Sequence, residues 1–453
     1  MTTYEDKPWL AQLTDAQRAP VDPHPSALHA FRDAARRAPD RTALAYFDGR
    51  LSYAEADALS DGVAGHLAAR GFRPGDRAAI MLQNTPHFVL ALLGVWKAGG
   101  IVVPVNPMYK SAEMTHVLTD AEVTALVCAD RTWDAFLRAT AAAVPSVRIA
   151  LTACELDLQT RDDTRVLRGE RLGPREGADD LLAAARAYEG KPPGVTPPAA
   201  ADTALISYTS GTSGTPKGAT NTHGNIAYNA ERQRTGLALP DGATYFALAP
   251  LFHITGMVCE LAACFTNAGT LALAYRFEPG VVLDAFLEHR PAYTVGPSTA
   301  YMALAAQPGV TREHFASFSS LSSGGAPLPP ALVEKFRAAF GPYLHNGYGL
   351  TECTAPCASV PPGREAPVDT ASGTLAVGVP GPDTVVRIID DRGGPCRSAS
   401  RARSPYAAPR WCPATGAART PPPRPCRTAN CAPATSVSWT RTAGCTSWTA
   451  RRT

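Results

Sequence analysis

Several features that would place a protein outside the cytoplasm are missing from this sequence. Its N-terminal stretch, MTTYEDKPWLAQLTDAQRAP, contains acidic residues and no apolar core of a signal peptide. The most apolar window, residues 88–105, carries Lys97 and two adjacent glycines, so it predicts a buried helix and strand and not a membrane span. The 11 cysteines have no zinc-ligand spacing. We therefore expect a cytoplasmic protein with reduced cysteines and no transmembrane segment, and peripheral membrane contact stays open.

Acidic residues and lysine are absent after Asp391. Arg, Pro, Ala, Thr and Cys dominate residues 392–453, whereas an average folded domain has about a quarter charged residues of both signs. A disordered basic tail or a nucleic-acid-binding arm is one interpretation, but such arms usually carry lysine and seldom tryptophan and cysteine. We expect no nucleic-acid partner, and we favour a shifted reading frame as the origin of this tail.

The rest of the chain has the composition of a globular protein with room for two or three domains, since 45% of all residues are hydrophobic and 18% are charged. Strand patterns alternate with helix patterns in two successive series, which predicts an α/β fold with two adjacent, largely parallel sheets covered by helices. Residues 155–202 between the two series are expected to form a loose excursion. The predicted strands are 76–82, 101–105, 125–128, 245–249, 270–273 and 292–295, and the predicted helices are 87–98, 111–119, 225–234, a segment after Gly256, and 281–289.

A segment rich in hydroxyl groups and glycine follows the first series. The apolar run Ala204–Ser207 predicts a strand, and the loop after it can turn many N–H and hydroxyl groups toward one anion, with Lys217 adding a positive charge. The loop differs from GxxxxGK[ST], because Pro216 stands directly before the lysine. A flexible surface linker is the alternative. The candidate phosphate-binding residues are Thr209, Ser210, Gly211, Thr212, Ser213, Gly214, Thr215 and Lys217.

The sequence YTSGTSGTPKG at residues 208–218 resembles the signature of the adenylate-forming (AMP-binding) enzymes, which include acyl-CoA synthetases, peptide-synthetase adenylation domains and firefly luciferase. Leu51–Glu55, Gly75–Arg77 and Asn106–Tyr109 are also similar to acyl-CoA synthetases, so the resemblance covers about residues 25–395. It implies a large N-terminal adenylation domain over residues 1–395, with two sheets and an incomplete third, small β subdomain. A small C-terminal α+β domain is expected to be missing.

Three further stretches resemble motifs of the same family. In the first, the resemblance places His253 of PLFHITG beside the acyl and thiol channels; a satisfied core histidine is the alternative. In the second, SSGGAP, it places Gly324, Gly325 and Ala326 against adenine and the acyl group; a plain turn is the alternative. The third is NGYGLTE, with Asn346, Gly347, Tyr348, Gly349, Thr351 and Glu352.

The resemblance also implies roles within NGYGLTE: Tyr348 stacks on adenine, Thr351 meets phosphate, and Glu352 binds Mg²⁺ together with Thr209. Lys217, His253, Thr351 and Glu352 are the candidate catalytic residues. The expected activity is that of an acid–CoA ligase of the long-chain fatty acid type, with ATP, Mg²⁺ and coenzyme A. A non-catalytic nucleotide- or acyl-binding remnant and an adenylating enzyme with another acceptor stay open, as does the oligomeric state.

The stretches around His253–Met257 and Val295–Met302 are expected to line the acyl pocket by the same analogy. Both are apolar and contain no aspartate, which favours a fatty or aromatic acid over an amino acid, whose ammonium group would need a buried carboxylate. Acid chain length is not set by the sequence.

Reading the tail one base out of frame recovers motifs that resemble the family's continuation. Trp411–Thr415 conceals Val-Val-Pro-Gly-Tyr, residues 431–443 conceal a segment with Arg-Thr-Gly-Asp, and Trp448–Thr453 conceals Val-Asp-Arg-Ala-Lys-Asp. Residues 396–453 are therefore expected to be an out-of-frame, disordered tail. Since the concealed motifs supply a ribose-binding carboxylate and a hinge in relatives, we expect the chain as written to be inactive or impaired.

Overall fold

The computed structural model describes residues 7–171, 173–209, 216–370 and 373–389, and the backbone of 410–411, 436–437 and 447–451. Short π-helical segments, Trp133–Leu137 and Gly256–Ala262, continue into regular helix. The helices are α1 Asp15–Arg18, α2 Ala27–Arg37, α3 Tyr53–Ala69, α4 Pro86–Lys97, α5 Ser111–Asp120, α6 Asp130–Thr132, α7 Arg138–Ala142, α8 Leu181–Ala187, α9 His223–Leu237, α10 Ala263–Thr266, α11 Pro279–His289, α12 Ser298–Ala305 and α13 Pro330–Phe340.

The strands of the first sheet come mostly from the first half of the described chain. In spatial order it contains β7-β6-β5-β3-β4-β8-β9, and all neighbours are parallel except the final hairpin. Its strands are β3 Arg77–Met81, β4 Ile101–Pro104, β5 Val123–Ala129, β6 Ile149–Ala153, β7 Asp179–Asp180, β8 Thr203–Thr209 and β9 Lys217–Thr222.

The second sheet begins with an N-terminal hairpin and otherwise uses later strands. Its order is β16-β15-β14-β13-β12-β10-β11-β1-β2, with five parallel contacts from β14 to β1. Its strands are β1 Thr42–Tyr46, β2 Gly49–Ser52, β10 Thr244–Phe246, β11 Thr270–Leu273, β12 Tyr293–Gly296, β13 Ser320–Ser323, β14 Leu344–Tyr348, β15 Ala358–Ser359 and β16 Val379–Pro380. The predicted α/β fold with two largely parallel sheets is confirmed.

Helix α4 explains why the sequence contains such an apolar stretch. Thr85 caps it by accepting a hydrogen bond from the N–H of Phe88, Pro86 occupies its first turn, and all of its residues are buried. Lys97 at its end is buried as well, with its ammonium group 2.6 Å from Asp57 and 2.8 Å from Asp61. Two carboxylates therefore compensate the burial of one cation. No helix in the described ranges is long and apolar enough to cross a membrane.

The prediction of a loose excursion over residues 155–202 is wrong for its central part. Strand β7 extends the first sheet, and Leu181, Leu182, Ala184 and Ala185 of α8 are buried. A Cβ on Gly62 would lie 1.8 Å from the carbonyl oxygen of Ala185, so α8 packs directly on α3. An alanine-rich composition is typical of a loose segment, but in this structure the small side chains permit α8 to pack closely on α3.

The tail is described only as backbone fragments. Strand β17 (Val385–Ile389) pairs in parallel with β20 (Ser447–Arg451), and β18 (Arg410–Trp411) pairs with β19 (Ser436–Val437). The predicted disorder of residues 396–453 and the boundary at 395 remain predictions, since most of these residues lie outside the described ones.

Candidate active site

A cavity of about 370 Å³ opens where the parallel strands β12, β13 and β14 end. Polar side chains at the carboxyl ends of parallel strands converge at one edge of a sheet, which is the usual location of binding sites in open α/β sheets. The residues around the cavity are Thr209, Gln233, His253, Ile254, Thr255, Cys259, Tyr293, Val295, Ser322, Ser323, Gly324, Gly325, Asn346, Gly347, Tyr348, Gly349, Leu350, Thr351, Glu352, Ala355, Pro356 and Ser359.

The candidate phosphate loop joins the two strands of the hairpin β8–β9. Thr209 and Lys217 are directly opposite each other in the antiparallel register. Thr209 lines the cavity, whereas Lys217 is exposed at the start of β9 and is not among the cavity residues. The rest of the predicted loop, Ser210–Thr215, lies outside the described residues. The hairpin thus presents one hydroxyl to the cavity and holds one cation at the base of the loop.

His253 lies at the cavity on the segment between β10 and the π-helical turn. Its Nδ1 accepts a hydrogen bond from the backbone N–H of Thr255 at 3.2 Å. The side chain keeps an exposed surface, yet the protein packed around it lowers the pKa of the imidazole by desolvation. Because Nδ1 is an acceptor, the neutral ring carries its proton on Nε2, which is the nitrogen available for other contacts.

Backbone geometry fixes the segment that carries His253. The buried Asn84 side chain donates to the carbonyls of Ala247 (2.8 Å) and Ala249 (3.1 Å) and accepts from the N–H of Leu251 (2.8 Å). A Cβ on Gly256 would lie 2.4 Å from the carbonyl oxygen of Pro250, so only glycine allows the helix to start this close to the strand end. The sequence did not reveal Asn84 as a positioning residue.

The glycines after β13 form one wall of the cavity. Gly324 and Gly325 line it, and Gly325 has a φ of 76°, a conformation that glycine adopts without strain. Ala326 is exposed and is not among the cavity residues. Ser323 is fully buried, and within the described structure its hydroxyl has no hydrogen-bond partner.

The stretch NGYGLTE brings all of its predicted site residues to the cavity. Asn346 and Gly347 belong to β14, and Thr351 and Glu352 begin a short 3₁₀ turn that ends at Cys353. The turn is held from outside by the amide of Asn229, which donates to the carbonyls of Cys353 (3.3 Å) and Thr354 (3.0 Å). The proposed roles of these side chains toward a nucleotide stay predictions.

The expected acyl-pocket stretches are only partly at the cavity. Val295 lines it, but the rest of Val295–Met302 does not, and Met302 is exposed on α12. The strand ends at Gly296, so the following helix turns these residues away. Other cavity residues come from distant elements and have no signal in the sequence, among them Gln233, Cys259, Tyr293 and Ser359.

The donor set at the cavity fits a magnesium ion bound together with a nucleotide. Glu352 has no ion pair with any described residue, and no described group of three or more His, Cys, Asp or Glu side chains could bind a metal by itself. Mg²⁺ is usually held by one or two carboxylates plus substrate phosphates and water, so a single carboxylate beside the hydroxyls of Thr209 and Thr351 is sufficient.

The fold is that of an α/β protein with a polar cavity at the carboxyl edge of its second sheet, and comparison with known proteins gives its family. The chain belongs to the AMP-binding enzyme family, whose model matches residues 31–400. It is 29% identical over 369 residues to a long-chain-fatty-acid–CoA ligase of Bacillus subtilis (strain 168), covering 77% of this chain and 64% of that protein. A feruloyl-CoA synthase of Amycolatopsis sp is 32% identical over 320 residues, covering 70% of this chain and 58% of that protein.

Both relatives are longer than this protein, which spans less than two thirds of the length of each. Among solved structures, the anthranilate CoA ligase AuaEII in complex with anthranoyl-AMP is similar with a TM-score of 0.73 and 21% identity, covering 85% of this chain and 69% of that chain. At this identity the likeness supports the fold alone.

Proposed function

We propose that the protein activates a carboxylic acid with ATP, forming an acyl-adenylate and pyrophosphate, and that coenzyme A then displaces AMP to give an acyl-CoA thioester. The observation that carries the proposal is the convergence of four separate sequence stretches on one cavity: Thr209, His253, Gly324–Gly325 and Asn346–Glu352. The family membership supports the same chemistry.

Adenylation joins two anions, so charge compensation is the main task of the site. A carboxylate oxygen attacks the α-phosphorus, the bond between the α-phosphorus and the oxygen that bridges it to the β-phosphorus breaks, and pyrophosphate leaves. Thr209 and Thr351 are proposed to donate hydroxyl hydrogen bonds to phosphate oxygens, and Lys217 is proposed to pair with the leaving phosphates from the base of the loop. A bound Mg²⁺, with Glu352 as its protein ligand, would supply further positive charge along the phosphates.

His253 is proposed to orient the reacting acyl group rather than to carry a charge. Its desolvated ring is neutral at pH 7, and the backbone N–H of Thr255 occupies Nδ1. The Nε2–H can then donate to an oxygen of the acyl group at the cavity. A neutral donor suits this place because a cation there would compete with Lys217 for the phosphates.

The substrate is proposed to be an acid with an apolar body, either an alkyl chain or an arylalkyl group. Ile254, Cys259 and Val295 give the cavity an apolar lining, and among the described cavity residues Glu352 is the only carboxylate. An amino acid would bring an ammonium group without a partner. Relatives named for fatty acids and for ferulate are consistent with both kinds of body.

Acid-dependent exchange of labelled pyrophosphate into ATP tests the proposal. Exchange by the chain as written is expected to be slow, but octanoate and phenylpropanoate should support it better than acetate, since each buried methylene contributes about 0.8 kcal/mol. Phenylalanine should fail because its ammonium group has no partner. A chain that binds ATP but gives no acid-dependent exchange would be a nucleotide-binding remnant. Adenylation without thioester after addition of coenzyme A would indicate another acceptor.

A further inference from the structure

A second, smaller cavity of about 120 Å³ adjoins the first. Gln233, Ser322, Pro356 and Ser359 line both cavities, so they separate the two spaces. These four residues therefore form the boundary of the main cavity toward the second one. Side chains can select a substrate by shape and by hydrogen bonding.

A hydrogen bond lies at this boundary. The Gln233 Nε2 on α9 donates to the phenol oxygen of Tyr293 on β12 at 2.7 Å. The phenol also interacts with the hydroxyl of Ser322, and Tyr293 is 1% exposed, with its ring edge-on to Tyr245 at 5.8 Å. We call Gln233, Tyr293 and Ser322 the partition. Tyr293 is held rigidly, whereas Gln233 is half-buried and lies on the cavity side.

The partition has unused hydrogen-bonding capacity. A carboxamide offers two N–H donors and a carbonyl acceptor, and in the described structure Gln233 uses one N–H. An apolar substrate terminus pressed against the amide would remove its remaining groups from water without replacing the lost hydrogen bonds. Leaving buried polar groups unpaired costs about 1–3 kcal/mol. A hydroxyl at the same place would pair with them.

We propose that the partition is the specificity-determining end of the acyl site and that it selects acids whose apolar body ends in a hydrogen-bonding oxygen, bound by the Gln233 carboxamide. This rests on the proposed function and deepens it, since it names the substrate class. In this proposal the apolar cavity residues Ile254, Cys259 and Val295 contact the apolar body of the substrate, and Gln233 forms a hydrogen bond with the oxygen at its terminus.

Binding measured by calorimetry tests the proposal on the 453-residue chain without requiring turnover. The probes are two non-hydrolysable acyl-adenylate mimics, phenylpropanoyl sulfamoyladenosine and its para-hydroxy analogue. We expect the hydroxylated probe to bind about tenfold more tightly or better, and Gln233→Leu to reduce this ratio to near one while the unsubstituted probe binds at least as well as before.

Two further variants sharpen the test. Tyr293→Phe should also reduce the ratio, because the amide of Gln233 loses its fixed partner. Gln307→Leu is the matched control, since Gln307 follows α12, lines neither cavity, and donates only a 3.5 Å hydrogen bond to the carbonyl of Ala303; it should leave the ratio unchanged. Circular dichroism of each variant checks folding.

The outcomes separate the two proposals. If both probes bind the wild type but the ratio is near one, or if Gln233→Leu leaves a high ratio intact, the partition is not the selecting element and the inference is overturned while the adenylate site stands. If neither probe binds the wild type, the proposed function itself is overturned, and the inference with it. Tighter binding of a dodecanoyl probe than of the hydroxylated probe would mean that the chain passes the partition into the second cavity, which also overturns the inference.

Discussion

The side-chain amide of Asn221 donates a hydrogen bond to the backbone carbonyl of Thr351 at 2.8 Å. A second bond from the same amide reaches the Thr354 hydroxyl at 2.9 Å, and Asn221 is fully buried on β9. The strand that leaves the phosphate hairpin therefore holds the turn that carries Glu352. Two parts of the site that are more than a hundred residues apart in sequence share one rigid support.

This contact predicts that Asn221→Ala weakens adenylation, although the Asn221 side chain is not proposed to contact the nucleotide. The carbonyl of Thr351 would lose its donor, the turn would be held by Asn229 alone, and we expect acid-dependent pyrophosphate exchange to fall about tenfold, equivalent to about 1.4 kcal/mol. Asn267→Ala is the matched control, because that buried amide bonds Pro240 far from the cavity. An equal loss in both variants would indicate general destabilisation instead.

In an enzyme with the reading frame restored after Pro395, Lys217→Ala and Glu352→Gln should each slow adenylation by about a hundredfold or more, since removal of one positioned electrostatic group typically has this effect. Exchange assays at saturating ATP and Mg²⁺ measure it. The exposed pair Lys335→Ala and Glu334→Gln on α13 provides controls of the same charge change. An unchanged rate in either site variant would withdraw the role assigned to that residue.

A buried carboxyl beneath the cavity predicts a stability difference between two substitutions. Glu260 Oε1 accepts from the N–H groups of Leu248 (3.2 Å), Ala249 (3.4 Å) and Val295 (3.0 Å). Glu260→Leu removes this acceptor from the N–H groups of Ala249 and Val295, at about 1–3 kcal/mol for each one left unpaired, whereas Leu248 N–H keeps the carbonyl of Phe246 at 3.0 Å. Glu260→Gln keeps an oxygen acceptor for all three. Urea unfolding should therefore show a loss of several kcal/mol for leucine only.

The difference in stability between the wild type and Glu260→Gln should depend on pH. Burial raises the pKa of the Glu260 carboxyl well above its ordinary value of 4.5. The folded state keeps the proton that the unfolded chain releases, so the wild type loses stability relative to Glu260→Gln as pH rises from about 4.5. A difference that stays constant with pH would contradict a protonated Glu260.

His223 is expected to make the protein less stable as pH falls, which is the opposite of the pH dependence expected from Glu260. It is 2% exposed, packs edge-on to Trp96 at 5.0 Å, and burial lowers the pKa of its imidazole to about 4. A lowered histidine pKa means that the unfolded chain binds the proton first, so stability is complete above pH 6.5 and is lost as pH falls toward 4, by about 3 kcal/mol for this group.

Unfolding of His223→Phe between pH 7 and pH 4 measures this contribution. The variant should lose less stability over that range than the wild type. Parallel curves for His223→Phe and the wild type would show that His223 does not cause the acid sensitivity.

The sequence was sufficient for the elements that are strongly periodic and for the motifs that are contiguous. Helix α4 and strands β3, β4 and β5 follow directly from apolar runs, and NGYGLTE carries all its site residues in one stretch. Such features depend on local spacing, which a sequence displays.

The partition and the supports of the site could not be read in the same way. Gln233 and Tyr293 are on a helix and a strand 60 positions apart, and only the tertiary fold brings them together. Asn84, Asn221 and Glu260 are single polar residues in apolar or mixed segments, where a buried hydrogen bond to distant backbone has no local signal.

The interpretation of residues 396–453 depends on DNA and not on the structure. Inserting one base near the Pro395 codon should open a frame that encodes Arg-Thr-Gly-Asp and then Asp-Arg-Ala-Lys-Asp. Sequencing across that codon is the direct test. A gene with no such frame would mean that the basic tail is genuine and has a role of its own.

Transfer of oxygen from the acid to AMP tests the central claim most directly. A stoichiometric amount of the 453-residue chain is incubated with ATP, Mg²⁺, coenzyme A and octanoate labelled with ¹⁸O in both carboxylate oxygens, so that even a slow single turnover is counted. If the carboxylate attacks the α-phosphorus in this cavity, the AMP formed should carry one ¹⁸O atom, and Glu352→Gln should strongly reduce its amount. Unlabelled AMP, or ADP and phosphate in its place, would contradict acid activation through an acyl-adenylate.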